Sequence, residues 1–275
     1  MSADESLVTH IEGFDDIFNP KGIPKRTTII ITGPPGSGKT TFIMDFIVKG
    51  ILKSNDIGIF VTLEETAENI IKDYRSFSAW RLEELIRSDR LFVIDAITYK
   101  VSKMTRRPLE EIESIGDLQD EKDKIIYLSH VDELAPCLDL LIELIRKEMG
   151  HTGDIRLGID SLTAYLSARA VRLDIRTKFE FLDRVRDEIL SLRNMLEKKN
   201  VTTFMSAEAI KEVRTRFGVE EFVARGMIYI GYSWVGMHKS RYLAVIKMRG
   251  REHSLSKYSF DIDPKTGIRI FGEVV

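Results

Sequence analysis

The stretch Gly33-Pro34-Pro35-Gly36-Ser37-Gly38-Lys39-Thr40 meets the pattern G-x-x-x-x-G-K-[S/T] at every fixed position. Its context decides how it reads. Thr28-Ile29-Ile30-Ile31-Thr32 before it is an apolar, β-branched run that predicts a buried strand, and Thr40 to Lys53 after it predicts a helix. A glycine-rich turn between strand and helix is a phosphate cradle. Glycines at 33, 36 and 38 let the backbone curl around a β-phosphate with N–H groups pointing inward, and the following helix adds the positive end of its dipole. Lys39 supplies a mobile charge for β- and γ-phosphates, and the Thr40 hydroxyl is a candidate Mg²⁺ ligand. The run from Gly33 to Thr41 is the expected nucleotide-binding segment, with ATP and Mg²⁺ as its ligands.

Outward from the loop, short β-branched runs alternate with longer helical patterns, the signature of a mostly parallel sheet flanked by helices in an α/β fold. Ile57 to Thr62, Arg90 to Asp95, Arg156 to Asp160 and Val201 to Ser206 read as strands. Helices are expected from about Thr66, over Val131 to Met149 and over Lys178 to Lys199. The last part changes character. Met227 to Tyr232, Tyr242 to Met248, Lys257 to Ile262 and Ile268 to Phe271 are strands with short links, which predicts an antiparallel extension of the sheet. Nothing divides the chain, so residues 1–275 read as one domain. The charged stretch 98–132 breaks the alternation and is expected to leave the sheet, as a solvated insertion or as a lid or docking segment.

With 275 residues, 43% of them hydrophobic, the chain can bury one large core, and a net charge of -2 gives no support to a protein that is basic overall and coats nucleic acid. The single cysteine, Cys137, excludes an internal disulfide framework and sits in an apolar run as a core thiol. No window is apolar enough to span a bilayer, and the acidic N-terminus lacks the apolar core of a signal peptide, so a cytoplasmic protein without membrane insertion is expected.

A nucleotide-bound Mg²⁺ needs a carboxylate opposite the loop. Asp160 ends an apolar strand and is followed by Ser161; Asp95 ends a similar strand and is its rival. Hydrolysis also needs a group to position water. Glu64 and Glu65 follow the second strand and read either as that group or as acids stabilising the dipole of the next helix. Lys247 and Arg249, two apart on a strand, share a face and form either a two-pronged cationic claw or a solvated basic edge.

These residues resemble the KaiC family of RecA-like ATPases. The likeness runs over nearly the whole chain as a single KaiC domain. It begins with Gly13-Phe14-Asp15-Asp16-Ile17-Phe18 and Gly22-Ile23-Pro24, and continues through Val61-Thr62-Leu63-Glu64-Glu65, similar to the family's paired catalytic glutamates. Ile159-Asp160-Ser161-Leu162 is similar to its Walker B segment, which favours Asp160 over Asp95 as the metal carboxylate. Lys247-Met248-Arg249-Gly250 is similar to its K-x-R-G motif, and His253 stands where the family often has a histidine.

The resemblance implies a RecA-like fold and ATP hydrolysis in a homo-oligomer, a hexameric ring. Lys247 and Arg249 then reach the neighbour's γ-phosphate, with His253 beside the nucleotide, and the role is regulatory or signalling with a protein partner. There are departures. Arg225 stands where an acidic residue is common, Arg251 replaces a small polar residue, and Ser161, Ser206 and Thr215 read as strand-end hydroxyls rather than phosphosites. The alternatives are an autophosphorylating kinase, and a RecA-like ATPase of DNA repair acting on nucleic acid. For the latter, Lys100, Lys103, Arg106 and Arg107 and then Lys211, Arg214 and Arg216 are the candidate basic contacts, less favoured because acids follow both clusters closely.

Overall fold

The computed structural model describes residues 6–97, 108–170, 177–211, 214–235 and 237–274. The phosphate loop is entered from strand β1 (Thr28–Gly33) and left through helix α1 (Lys39–Ser54). Then follow β2 (Ile57–Thr62), α2 (Ala67–Asp73), β3 (Leu91–Asp95), β4 (Ile126–Tyr127), α3 (Leu134–Glu148), β5 (Ile155–Asp160), α4 (Leu162–Ala170) and α5 (Lys178–Lys198). The chain ends with β6 (Val201–Lys211), β7 (Gly226–Val235), β8 (His238–Met248), β9 (Lys257–Asp263) and β10 (Gly267–Glu273). In space the strands run in the order β10-β9-β8-β7-β1-β6-β5-β2-β3-β4. From β7 to β4 neighbours are parallel, and from β7 to β10 they are antiparallel, as the change of pattern near residue 227 predicts.

Side-chain alternation sorts the strands onto two cores. Ile29, Ile31, Phe60 and Phe204 face α1, where they meet Phe42, Ile43, Phe46 and Ile47. Ile30, Ile59, Val61, Phe92 and Ile94 face the other way, against Leu138, Leu141 and Ile145 of α3 and Ile189 and Leu192 of α5. Cys137 is fully buried in that second layer, as expected. Helix α1 lies unusually close to the sheet. A Cβ at Gly58 or Gly158 would collide with Ile47 or Ile43, so only glycine at these two strand positions lets the helix settle there.

One charge sits inside this layer. Arg156 on β5 is buried over the Phe46 ring and paired with Asp56 at 2.6 Å. Its remaining N–H groups donate to the carbonyls of Val8 (2.7 Å), Phe46 (3.0 Å) and Thr9 (3.1 Å), so the guanidinium pins the N-terminal segment to the core. Arg251 does the same at a second point, donating to Pro20 O at 3.0 Å and to Ser6 Oγ at 2.8 Å. That explains why a long cation replaces the small polar residue of the family pattern. The C-terminal extension is fixed to α1 by Asp45, whose carboxylate accepts from Lys49 Nζ (2.6 Å) and the Ile268 N–H (3.0 Å) and is pushed by burial up to about 6.

The stretch 98–132 differs from the expectation at one point, the strand at Ile126–Tyr127. Residues 98–107, and with them Lys100, Lys103, Arg106 and Arg107, lie outside the described residues. From 108 to 125 the chain runs outside the sheet, with a short helix at Ile115–Leu118, and it rejoins the sheet edge at Ile126. Ile126–Tyr127 pairs in parallel with β3, and Ile115, Leu118, Ile125 and Leu128 are buried. Four apolar residues scattered among ten or more charges leave no periodic signal in the sequence, although their burial organises the segment. Among the described residues, no helix is long and apolar enough to cross a membrane.

Removing one partner of a buried ion pair leaves a desolvated charge behind, at a cost of about 3 kcal/mol or more. Asp56→Ala is therefore expected to lower stability by about that amount, read as a fall in the urea midpoint, whereas Lys21→Ala, which breaks an exposed pair with Asp16, leaves it unchanged.

Candidate functional site

The phosphate loop closes over the carboxyl edge of the parallel strands. Gly36 and Gly38 take φ of 73° and 104°, backbone conformations open to glycine and strained for other residues, and Gly38 caps the start of α1. Ile262 of the C-terminal extension lies over Gly38, where a Cβ would meet it at 3.0 Å. Lys39 turns back over the loop and donates to the carbonyls of Gly33 at 2.9 Å and Pro34 at 3.1 Å. Burial lowers its ammonium pKa, while the charges of Asp160, Glu64 and Glu208 raise it. Thr41 points to the neighbouring helix and bonds the Tyr74 hydroxyl at 3.0 Å.

Asp160 is the hub of the site. One carboxylate oxygen accepts from Thr40 Oγ1 at 2.6 Å and the other from the Ser206 hydroxyl. β5 lies two strands from β1, with β6 between them, so β6 contributes Ser206 at the level where loop and carboxylate meet. Asp95 ends β3 four strands from β1 and is occupied differently. Its carboxylate accepts from the backbone N–H of Ala67 at 2.8 Å and of Ile97 at 2.9 Å, holding the first turn of α2. The two strand-end aspartates, alike in sequence, thus have different partners: Asp160 meets the loop and Asp95 a helix N-terminus.

Glu64 and Glu65 sit on the turn between β2 and α2, exposed on the same edge. The turn is locked on both sides: the Leu63 N–H donates to Asp160 O at 2.7 Å, and the Thr62 hydroxyl donates to Glu65 O. Thr66 caps α2 through the Asn69 N–H. The Glu64 carboxylate accepts from the Ser161 hydroxyl. Partial burial raises the Glu64 pKa, the Ser161 bond opposes that shift, and the charges of Asp160 and Glu208 add to it. Ser161, Ser206 and Thr215, weighed as phosphosites from sequence, all have engaged hydroxyls; that of Thr215 donates to the buried Glu220 at 2.7 Å.

Lys247, Arg249 and His253 are not brought to this chain's own loop. Through Met227, Lys247 lies level with Ile30 of β1, three residues short of Gly33, or roughly 10 Å of strand. Arg249 is lower still, its N–H bonded to Arg225 O while the Arg225 N–H bonds Thr28 O. Lys247 Nζ donates to the carbonyl of Glu221, and Arg249 to that of Phe222 at 3.4 Å. Burial and the adjacent Arg249 charge both lower the Lys247 ammonium. A β-bulge at Ile246 re-aims this end of β8. Without it Lys247 would follow Leu243 and Val245 into the core. His253 pairs with Phe18 in a small two-stranded sheet, its ring against Ser254 O at 2.9 Å.

Three contributors escape a reading of the sequence by motif. Ser161 and Ser206 look like ordinary strand-end hydroxyls, and only the strand order puts them on Glu64 and Asp160. Glu208 stands opposite Gly33 in the β1–β6 register, close enough for its charge to act on Lys39 and Glu64. The available signal was its place, two residues beyond an apolar strand predicted to run beside the loop.

Comparison with known proteins agrees with the fold. The family model for KaiC ATPases matches residues 7–274. The circadian clock oscillator protein KaiC of Thermostichus vulcanus is 33% identical over 269 residues, which are 97% of this chain and 44% of that protein. That of Synechococcus elongatus is 32% identical over 265 residues, 96% of this chain and 43% of the other. The chain therefore spans less than half the length of these relatives. A crystal structure of a KaiC-like protein from Pyrococcus horikoshii superposes with a TM-score of 0.69 at 29% identity, covering 97% of this chain and 99% of that one.

The contrast between the two aspartates is testable. Asp160→Asn is expected to raise the Mg²⁺ concentration needed for half-maximal nucleotide binding, whereas Asp95→Asn leaves that midpoint in place and lowers the melting temperature through α2, a loss of about 1 kcal/mol. A Mg²⁺ titration followed by calorimetry, with thermal melts alongside, separates the two effects.

Proposed function

This chain belongs to the KaiC ATPase family, and from that premise we propose that it binds ATP with Mg²⁺ at the Gly33–Thr41 loop and hydrolyses it in a ring of identical subunits. The observation that carries the reading is the convergence of Thr40, Asp160 and Ser206 on one point of the sheet edge, with Glu64 beside it. The donor set fits a hard divalent cation. Among the described residues no cluster of three or more His, Cys, Asp or Glu could hold a metal, so Mg²⁺ here would take Thr40 and Asp160 as protein partners and the rest of its oxygens from phosphate and water. The ion supplies charge neutralisation for the phosphates.

In this reading the loop N–H groups and Lys39 bind the β- and γ-phosphates, with Lys39 exchanging the carbonyls of Gly33 and Pro34 for phosphate oxygens. Glu64 accepts the proton of the attacking water, and Ser161 orients its carboxylate. Glu65, on the same turn, assists or replaces it. The register supports a composite site. Lys247 and Arg249 stand too far toward the amino edge to serve their own loop, and two adjacent cations facing carbonyls are disposed to receive an anion from outside the chain. His253, paired with Phe18, would join the neighbour's nucleotide, as the family resemblance implies.

A regulatory or signalling role with a protein partner follows from the family resemblance, and a pull-down with the ATP-locked ring is the experiment for it. The nucleic-acid reading gains nothing here: of its basic residues, Arg216 has a described side chain, and that is paired with Glu208 at 3.3 Å.

Glu64→Gln is expected to keep ATP binding and lose ~10²-fold in turnover, and Lys39→Ala to lose tight binding. A base must be deprotonated to work, and the Glu64 pKa is raised, so turnover falls on acidification at a pH above the ordinary carboxylate range. Ser161→Ala removes the bond that lowers it and should move that acid limb to still higher pH; a limb that stays put would show that Glu64 is not the group titrating.

Arg249→Ala and Glu64→Gln damage different halves of a shared site. Each pure variant should be nearly inactive, and mixing them after disassembly should restore activity in proportion to the interfaces that combine two intact halves. A mixed sample that exchanges subunits yet gives only the mean of the two pure rates would show that Arg249 does not act on a neighbour.

A further inference from the structure

Glu208 is the residue of β6 that the register sets opposite Gly33, and its charge is felt at both Lys39 and Glu64. Its backbone is fixed: the Glu208 N–H donates to Thr163 Oγ1 at 3.0 Å, and Thr163 is buried at the start of α4. Its side chain accepts from Arg216 at 3.3 Å. Arg216 is brought there by the return of the chain along β6, where Thr215 pairs with Ala209 in an antiparallel register.

From Arg216 the contacts run on without a gap. Thr215, the residue before it, donates its hydroxyl to Glu220 at 2.7 Å, and the same buried carboxylate accepts the N–H groups of Val219 at 3.1 Å and Phe217 at 3.3 Å. Glu220 opens the short helical turn Glu220–Val223, whose Glu221 and Phe222 carbonyls hold Lys247 and Arg249. One end of this chain of contacts lies beside the phosphate loop, and the other holds the two cations that face away from it.

We propose that the Glu208–Arg216 pair couples neighbouring sites: phosphate on Lys39 of one subunit sets the position of the Lys247 and Arg249 that the same subunit offers to the next. The proposal rests on the composite site described above. Its physics is charge redistribution. A bound γ-phosphate adds negative charge beside Glu208 and takes up the Lys39 charge, which strengthens the hold that Arg216 already has on the carboxylate. An exposed ion pair is cheap to rearrange, as a switch contact must be, while Glu220 makes the segment that follows move as one piece. Glu208 and Arg216 are positioning residues in this scheme, since neither needs to touch the reacting atoms of the site they influence.

Subunit mixing tests the assignment, because it reports which half of an interface a variant damages. Arg216→Ala and Glu208→Gln are each expected to lower turnover about tenfold, within the range usual for coupling between sites, with ATP affinity retained in calorimetry and Arg216→Lys restoring most of the rate. Each should be rescued by mixing with Glu64→Gln subunits, which bring an intact claw, and not by mixing with Arg249→Ala subunits, which lack one. Thermal melts confirm that the variants are folded. Rescue by Arg249→Ala but not by Glu64→Gln would place Glu208 and Arg216 in the service of their own loop and overturn the proposal, as would unchanged turnover in both variants. The mixture of Arg249→Ala with Glu64→Gln is the control: if it fails to regain activity, the composite site itself is wrong, and the coupling falls with it for that separate reason.

Discussion

Everything at the nucleotide edge depends on how closely α1 lies on the sheet. The loop is the direct continuation of β1 into that helix, so the height of the helix above the strands sets where Lys39 and Thr40 point. Gly58 and Gly158 leave β2 and β5 bare beneath Ile47 and Ile43, and the helix comes down onto the backbone. Lowered in this way, its first turn meets the end of β5 within hydrogen-bonding range, with Thr40 Oγ1 2.6 Å from the Asp160 carboxylate. A side chain at either glycine would lift the helix and separate the two halves of the cradle before any functional residue was changed.

The site then works as an arrangement of like charges held apart by hydroxyls. Asp160, Glu64 and Glu208 crowd one edge with Lys39 as the nearby cation, an arrangement that repels itself unless each carboxylate has a donor. Thr40 and Ser206 serve Asp160, Ser161 serves Glu64, and Arg216 serves Glu208. This division explains why two of the hydroxyls weighed as modification sites, Ser161 and Ser206, are already engaged. Burial raises the Glu64 carboxyl against the Ser161 bond, which lowers it.

Much of this was legible in the sequence, for definite reasons. The loop is local, eight consecutive residues in fixed geometry, and strands that end in Asp or Glu announce the carboxyl edge of a parallel sheet. The antiparallel extension declared itself through short links, and the family resemblance carried the choice of Asp160 over Asp95. What stayed hidden depends on strand order. Nothing local tells Ser206 that it will stand beside Asp160, or Glu208 that it faces Gly33, because those partners lie 46 and 175 residues away. Arg156 reads as a charge at the start of a strand, yet it is buried among carbonyls from two segments. The return of the 98–132 excursion to the sheet stayed hidden for the same reason: Ile126 is apolar on a charged background until β3 is found to be its neighbour. The bulge at Ile246 is a single-residue slip that a period-two reading passes over.

The register of β8 against β1 has a geometric consequence. Phosphate loop and cationic pair stand at different levels of the strands, so in the composite site proposed above a subunit would offer a socket at one pole of the contact and a plug at the other. Two copies related by a two-fold axis would face socket to socket or plug to plug. Head-to-tail contact is the geometry that matches unlike poles, and it repeats until it either closes on itself or grows into a filament. Closure then depends on the angle between successive subunits rather than on any residue of the nucleotide site.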